Sequence, residues 1–336
     1  MLASTVPVTT EMSLRSCSAK TEKMAIGEWR RPLCEDPIVT TDGPTNGAAA
    51  PRVGCVYRPQ TAPERIAAAA NAADAAGLDE LWLWEDCFLA GGVSAAAVAL
   101  SHSTELTVGV GVLPVPLRNV ALAAMEIATL ARAFPGRVRI GMGHGVQDWM
   151  AQVGEKVGSP MTLLREYLTC LTALLRGEHV TFHGRYVSLD RVQLDWPPEP
   201  MPGILAAAEG PKTLRLSGEL AAGTVITSGT SPDQLRVAVS RVREGSGTRP
   251  HTIVTYLLCT TGPDARRELL DEIGEWGYDP GADLGVWGTA DEIAGGARRW
   301  LDAGADTLVF QPRASTPIEE FVEFVGAEVS PLLRRS

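Results

Sequence analysis

From Pro51 onward the chain repeats one local pattern: a helix, a glycine that stops it, a short loop and a mostly apolar strand. Ala75-Ala-Gly77-Leu-Asp-Glu-Leu-Trp-Leu83 parallels Asp302-Ala-Gly304-Ala-Asp-Thr-Leu-Val-Phe310, and Ala221-Ala-Gly223-Thr-Val-Ile-Thr227 has the same form. Each reads as a helix ended by glycine at its C-cap. Eight apolar runs fit such strands: 53–57, 80–84, 106–112, 137–143, 203–208, 224–228, 252–259 and 306–311. Strands that read as apolar runs, without alternation, are covered on both faces, as in parallel sheets. Eight βα units in one chain point to a (β/α)8 TIM barrel. A doubly wound sheet is the runner-up, and it needs two sheets to use every strand.

The helical segments are 66–76, 92–103, 117–134, 162–176, 211–222, 232–244, 264–276, 291–303 and 318–333. Thr61-Ala-Pro-Glu64 reads as a capping box before the first of them. The least regular stretch, 144–202, is read as an insertion after strand 4, with a helix over 162–176 and a hairpin over 179–189. Residues 1–50 lack either periodicity and end in the turn-rich Thr-Thr-Asp-Gly-Pro-Thr-Asn-Gly, so they read as an irregular, partly disordered N-terminal extension. Met12 and Met24 stand as other possible starts. The 336 residues are then one barrel domain over 51–336 plus that extension, not two ordinary domains.

Composition narrows the partners. A net charge of −10 works against broad contact with nucleic acid or anionic lipid. No apolar run approaches the roughly 18 residues that span a bilayer, and the first fifty lack a secretory core. The six cysteines are scattered and form no CxxC pair, which fits reduced thiols in a cytoplasm. His179 and His183 have helical metal-pair spacing, but Val180-Thr-Phe182 and Gly184 favour a strand, so no metal site is read there.

A barrel carries its site at the carboxyl ends of its strands. Strand 2 ends in Trp84-Glu85-Asp86-Cys87, two carboxylates and a thiol, readable as a reactive group or as a helix cap with an inert cysteine. Strand 3 ends in Gly111-Val112, where glycine lets a flat ring approach the backbone; rim packing is the plain alternative. Strand 4 runs into Gly141-Met-Gly143-His144-Gly145-Val-Gln147-Asp-Trp149. Its glycines fall too close for a dinucleotide fingerprint. His144 suits proton transfer near neutral pH, and Trp149 suits stacking on a substrate ring. Strand 5 leads into Ala208-Glu209-Gly210-Pro211-Lys212, a helix start whose free N–H groups suit an anion. Thr227-Ser-Gly-Thr230 after strand 6 offers hydroxyls for the same purpose.

Taken in order, six stretches resemble the luciferase-like monooxygenase superfamily, which binds flavin or deazaflavin on such a barrel. They are residues 76–86, 108–114, 136–145, 207–214, 222–229 and 287–294. Ala-Ala-Glu-Gly-Pro-Lys and Ile-Thr-Ser-Gly are most similar to the branch that uses coenzyme F420, its methylene-tetrahydromethanopterin reductases and sugar-phosphate dehydrogenases. The resemblance implies that Asp86 meets the ring end of the cofactor. It implies a bulge at Gly111–Val112 under the ring, often a non-proline cis peptide in this family, with Gly143 beside it. Gln147 and the Ala208, Glu209, Gly210 and Pro211 backbone would hold the tail and phosphate, and Thr227 would lie near a phosphate or the substrate.

Departures from that pattern bear on the substrate. The family's Asp-His pair is Asp86-Cys87 here, His144 stands where the sugar-phosphate dehydrogenases carry a glutamate, and their phosphate-binding lysine is Thr230. These changes argue against glucose 6-phosphate. The expected activity is hydride transfer between F420 and a C=N, C=C or C=O group of a small organic substrate. His144 is the expected proton donor or acceptor, and Asp86 and Cys87 are secondary candidates. The alternatives are an FMN-dependent monooxygenase and a non-catalytic binding homologue. A cytoplasmic homodimer is expected.

Overall fold

A computed structural model describes residues 50–335 of the protein. The first 49 residues, which hold nearly all of the expected extension, lie outside the described residues.

The chain runs β1 (Arg52–Tyr57), α1 (Ile66–Ala75), β2 (Glu80–Leu83), α2 (Gly92–Ser101), β3 (Thr107–Pro114), α3 (Val120–Ala133) and β4 (Val138–Gly143). Next come α4 (Gln147–Gln152), α5 (Pro160–Leu175), β5 (Val180–His183) and β6 (Ser188–Val192). The alternation resumes with β7 (Ile204–Ala207), α6 (Pro211–Leu220), β8 (Gly223–Ile226), α7 (Pro232–Ser246), β9 (Thr252–Thr260) and α8 (Ala265–Glu275). It ends with β10 (Gly285–Trp287), α9 (Ala290–Asp302), β11 (Thr307–Gln311), α10 (Ile318–Phe324) and α11 (Ser330–Arg334). Strands β1, β2, β3, β4, β7, β8, β9 and β11 pair in parallel, and β11 closes on β1. This is the eight-stranded TIM barrel expected from the repeat. β5 and β6 form a separate antiparallel hairpin between β4 and β7.

Strand alternation separates a core outside the strands from one inside the ring, and a small third cluster (Leu258, Leu269, Ile273 and Leu284) lies by α8. Val53, Cys55 and Tyr57 of β1 join the large cluster between strands and helices, whereas Val56 joins a second one made only of strand residues. That second cluster (Val56, Trp82, Leu205, Val225, Val254, Tyr256 and Val309) fills the barrel interior. Gly109 of β3 and Gly141 and Gly143 of β4 face inward. A Cβ on Gly109 would sit 2.4 Å from Trp82, and one on Gly143 would sit 2.5 Å from Val112. Large side chains from other strands thus occupy the space that side chains on β3 and β4 would take. At the amino-terminal end, buried Glu80 pairs with Arg52 at 2.6 Å and Arg139 at 3.0 Å, and accepts the Trp82 indole N–H at 2.7 Å.

Several local expectations are corrected. Gly77 and Gly304 have positive φ (68° and 108°) and stop their helices as expected. Gly223 instead lies inside β8, where a Cβ would come 2.7 Å from the Thr252 carbonyl; its small size serves close strand approach. The capping box at Thr61 does not form. The Thr61 N–H closes a turn on the Arg58 carbonyl, and Pro63 starts a 3-10 turn after Ala62. Capping boxes occur at Ser231/Gln234 and Thr289/Glu292. The expected helix 318–333 is interrupted by a π-helical turn at Val325–Val329, just before Pro331, which has no N–H to give and crowds the preceding turn. β10, which pairs with the end of β9, is too short to stand out as an apolar run.

Candidate functional site

The carboxyl ends of the barrel strands bring together Asp86, Gly111–Val112, Gly143–His144, Ala208–Pro211 and Thr227. Their placement follows from the parallel ring alone, since every one of these segments continues a ring strand on the same side.

β2 ends in two carboxylates with different duties. Glu85 is buried, grips the Arg118 guanidinium at 2.5 and 3.0 Å and accepts the Gly92 N–H at 2.7 Å at the start of α2. It is a structural anchor. Asp86 has no such clamp: burial raises its pKa, and the Arg58 charge opposes the rise. Cys87 is half-buried, and burial, Glu85 and Asp86 all push its thiol pKa up. The thiol form is therefore favoured over the nucleophilic thiolate.

On β3 the register against β4 shifts between Val110 and Leu113, and the Gly111–Val112 peptide is cis. The Cys87–Phe88 peptide is cis as well. The bulge turns Val112 toward the barrel axis, into the space left by Gly141 and Gly143. Both bulge residues remain partly exposed and form a shelf in the mouth.

β4 delivers His144. Its Nδ1 is buried without a hydrogen-bond partner, and burial lowers the ring's pKa against the opposing effect of the Pro160 backbone. Burial thus favours the neutral ring, the form that can accept a proton. The Gln147 amide donates to the His144 and Gly145 carbonyls at 3.3 and 3.1 Å, closing its own turn at the start of α4. Trp149 is half-buried on α4.

α6 begins at Pro211 after Gly210, and no side chain caps it. Its first-turn N–H groups have no intrahelical partner and can bind an anion. A Cβ on Gly210 would meet nothing within 4 Å, so the approach is open. Lys212 stands exposed in that first turn. Across the gap, the Thr227 hydroxyl donates to Glu209 at 2.9 Å. Thr230 spends its hydroxyl on the Thr227 carbonyl at 3.1 Å.

Some mouth residues escaped the sequence reading. Arg58, two positions beyond inward-facing Val56, is buried and held by Glu272 at 2.9 Å and the Pro312 carbonyl at 3.0 Å. It lies over the Trp84 and Trp276 rings, 5.7 and 5.5 Å from their centroids. Tyr256 stacks on Trp84. Gln311, also missed, is buried and accepts the hydroxyl of Ser228, a residue the sequence had offered. The available signal was a polar or polar-tipped residue within or ending an apolar strand. A cavity of about 620 Å³ opens beside this mouth, lined by Gly229, Ser231, Arg236, Tyr278 and Arg299 among others. None of the candidate residues above lines it.

The luciferase-like monooxygenase family matches residues 45–277. The chain is 33% identical over 326 residues to an F420-dependent glucose-6-phosphate dehydrogenase of Kineococcus radiotolerans, covering 82% of this chain and 94% of that protein. It is 28% identical over 193 residues to a 5,10-methylenetetrahydromethanopterin reductase of Methanolobus tindarius, spanning 57% of this chain and only 59% of that relative. A coenzyme F420-dependent tetrahydromethanopterin reductase from Methanopyrus kandleri superposes with a TM-score of 0.72 at 21% identity, covering 84% of this chain and 99% of that one. A monooxygenase from Streptomyces bottropensis gives 0.71 at 18% identity, over 83% and 99%. At such identities these structures share the fold.

Proposed function

The chain belongs to the luciferase-like monooxygenase family, and from that premise we propose that it is a coenzyme F420-dependent oxidoreductase. It moves a hydride between the deazaflavin and a C=N, C=C or C=O group of a small organic substrate. The observation that carries this reading is the 33% identity to an F420-dependent dehydrogenase along 94% of that protein's length. The mouth's geometry supports it. The shelf at Gly111–Val112 is open to a flat ring, and the uncapped, glycine-fronted start of α6 suits an anionic tail.

Bound F420 supplies the carbon that gives or takes the hydride. The protein does the rest. Gly111 and Val112 would hold the ring with backbone and one methyl-bearing side chain, and Gly143, buried beneath Val112, makes room for that side chain. The α6 N–H groups, with Lys212, neutralise the tail's phosphate. Asp86 would hold the ring end of the cofactor. His144, neutral and desolvated, exchanges the proton that must accompany hydride transfer to a polar double bond. Trp149 and Thr227 contact the substrate. Glucose 6-phosphate is not the substrate in this reading, because Thr230 brings no cation to the phosphate position. The same reading carries a cytoplasmic homodimer; among the described residues no helix is long and apolar enough to cross a membrane.

The test is which cofactor raises the melting temperature. F420 is expected to raise it, with FMN and nicotinamide inert. A rise with FMN alone moves the assignment to a flavin monooxygenase. With F420 bound, reduced cofactor is then offered cyclic imines, enones and ketones, and His144→Ala is expected to lower turnover at least a hundredfold. Unaltered turnover in that variant refutes the role of His144.

A further inference from the structure

The shelf is not held by β3 alone. β9 sends Tyr256 across the barrel interior, 3% exposed, and its hydroxyl donates to the Gly111 carbonyl at 3.3 Å. The two residues are 145 positions apart in sequence. The contact is close: a Cβ on Gly111 would lie 1.9 Å from the phenolic oxygen. The ring is fixed on both sides, stacked on Trp84 with centroids 5.8 Å apart and edge-on to Trp82 at 5.8 Å. Trp82 is in turn tied through its indole N–H to the buried Glu80 carboxylate. A column of packed rings therefore runs from the ion-paired floor of the barrel to the underside of the bulge.

We propose that Tyr256 is a positioning residue for the cofactor: by donating to the Gly111 carbonyl it fixes the height and tilt of the shelf on which the F420 ring lies. This rests on the F420 reading above. A phenol suits the task because burial pushes its pKa up, which favours the protonated, hydrogen-bond-donating form. Without the hydroxyl, the part-buried bulge carbonyl loses this cross-barrel partner, and its orientation is less tightly specified. Neighbouring aliphatic residues such as Val309 fill the same interior but offer the bulge no hydrogen bond.

The experiment compares wild type, Tyr256→Phe and Val309→Ala by F420 fluorescence titration, by the absorption spectrum of bound F420 and by melting temperature. Tyr256→Phe keeps the ring and its packing. It is expected to raise the Kd for F420 about tenfold, the worth of one hydrogen bond, and to shift the bound spectrum toward that of free F420. Val309→Ala is expected to lower the melting temperature by more while leaving Kd and spectrum at wild-type values. Wild-type Kd and spectrum in Tyr256→Phe overturn the proposal. So does an equal loss of F420 affinity in Val309→Ala, which reduces the effect to core stability. Failure of wild type itself to bind F420 overturns the F420 reading and this proposal with it, a result distinct from either of the others.

Discussion

His251 makes the stability of this barrel depend on pH in a way that can be worked out in advance. It lies just before β9, at the end of the barrel opposite the mouth. Its Nε2 lies 2.7 Å from the Thr224 hydroxyl, which in turn lies 2.8 Å from the Ser217 hydroxyl. Thr224 and Ser217 are both fully buried. Burial, aided by the Arg249 charge and opposed by the Ala221 backbone, lowers the ring's pKa from 6.5 to about 4. The folded state thus holds the ring neutral, while the unfolded chain takes up a proton at an ordinary value. Stability from this group is complete above pH 6.5 and is lost as the pH falls toward 4. Between pH 7 and pH 5 the loss is about 2 kcal/mol, or roughly 5 °C in melting temperature for a domain of this size. Other groups also titrate there, so the quantity to measure is the difference between wild type and His251→Gln, by urea unfolding from pH 5 to pH 8. At pH 8 wild type should be the more stable. The gap should close by about 2 kcal/mol at pH 5, because the glutamine has no proton to gain. Parallel profiles across the range would refute the argument.

Other perturbations test other parts of the fold. Glu80→Ala leaves the Arg139 charge and the Trp82 indole N–H without their carboxylate; unfolding should cost about 3–5 kcal/mol less, read by urea titration of tryptophan fluorescence. Gly143→Ala drives a Cβ to 2.5 Å from Val112, so F420 affinity should fall at least tenfold on the order of one lost contact set, with far-UV circular dichroism unchanged. Glu166 accepts the N–H groups of Arg185, Tyr186 and Val187 at 2.8, 2.8 and 3.0 Å, and those bonds lower its pKa. Hydrogen exchange at these three amides, compared at one pH, should accelerate in Glu166→Ala. Unchanged protection in the variant would show that the hairpin does not need this carboxylate.

The architecture was legible because its signals are local and repeated. An apolar run, a helix and a left-handed glycine stop depend on neighbouring residues, and Gly77 and Gly304 behave as such stops. Gly223 looked identical in sequence but serves approach to Thr252, a contact no local pattern encodes. The same limit applies to the site. The positions of Asp86, Gly111, His144 and Thr227 follow from their being at strand ends, since closing a parallel ring puts all strand ends on one side. The separation of Glu85 from Asp86 did not follow, because the anchor for Glu85 is Arg118, 33 residues away. Arg58 meets Glu272 across 214 residues, and Tyr256 meets Gly111 across 145.

By itself, then, the sequence determined the number and order of the βα units and which residues fall at the carboxyl ends of the strands, since periodicity and chain connectivity carry that information. Only the tertiary structure decided how the mouth is furnished: which carboxylate is clamped and which is left desolvated, why β3 and β4 need glycine inside, and what supports the shelf. Those outcomes depend on which side chains share a closed interior of limited volume. Competition for that space, and for the few hydrogen-bond partners within it, is settled between residues that are neighbours only after the ring closes.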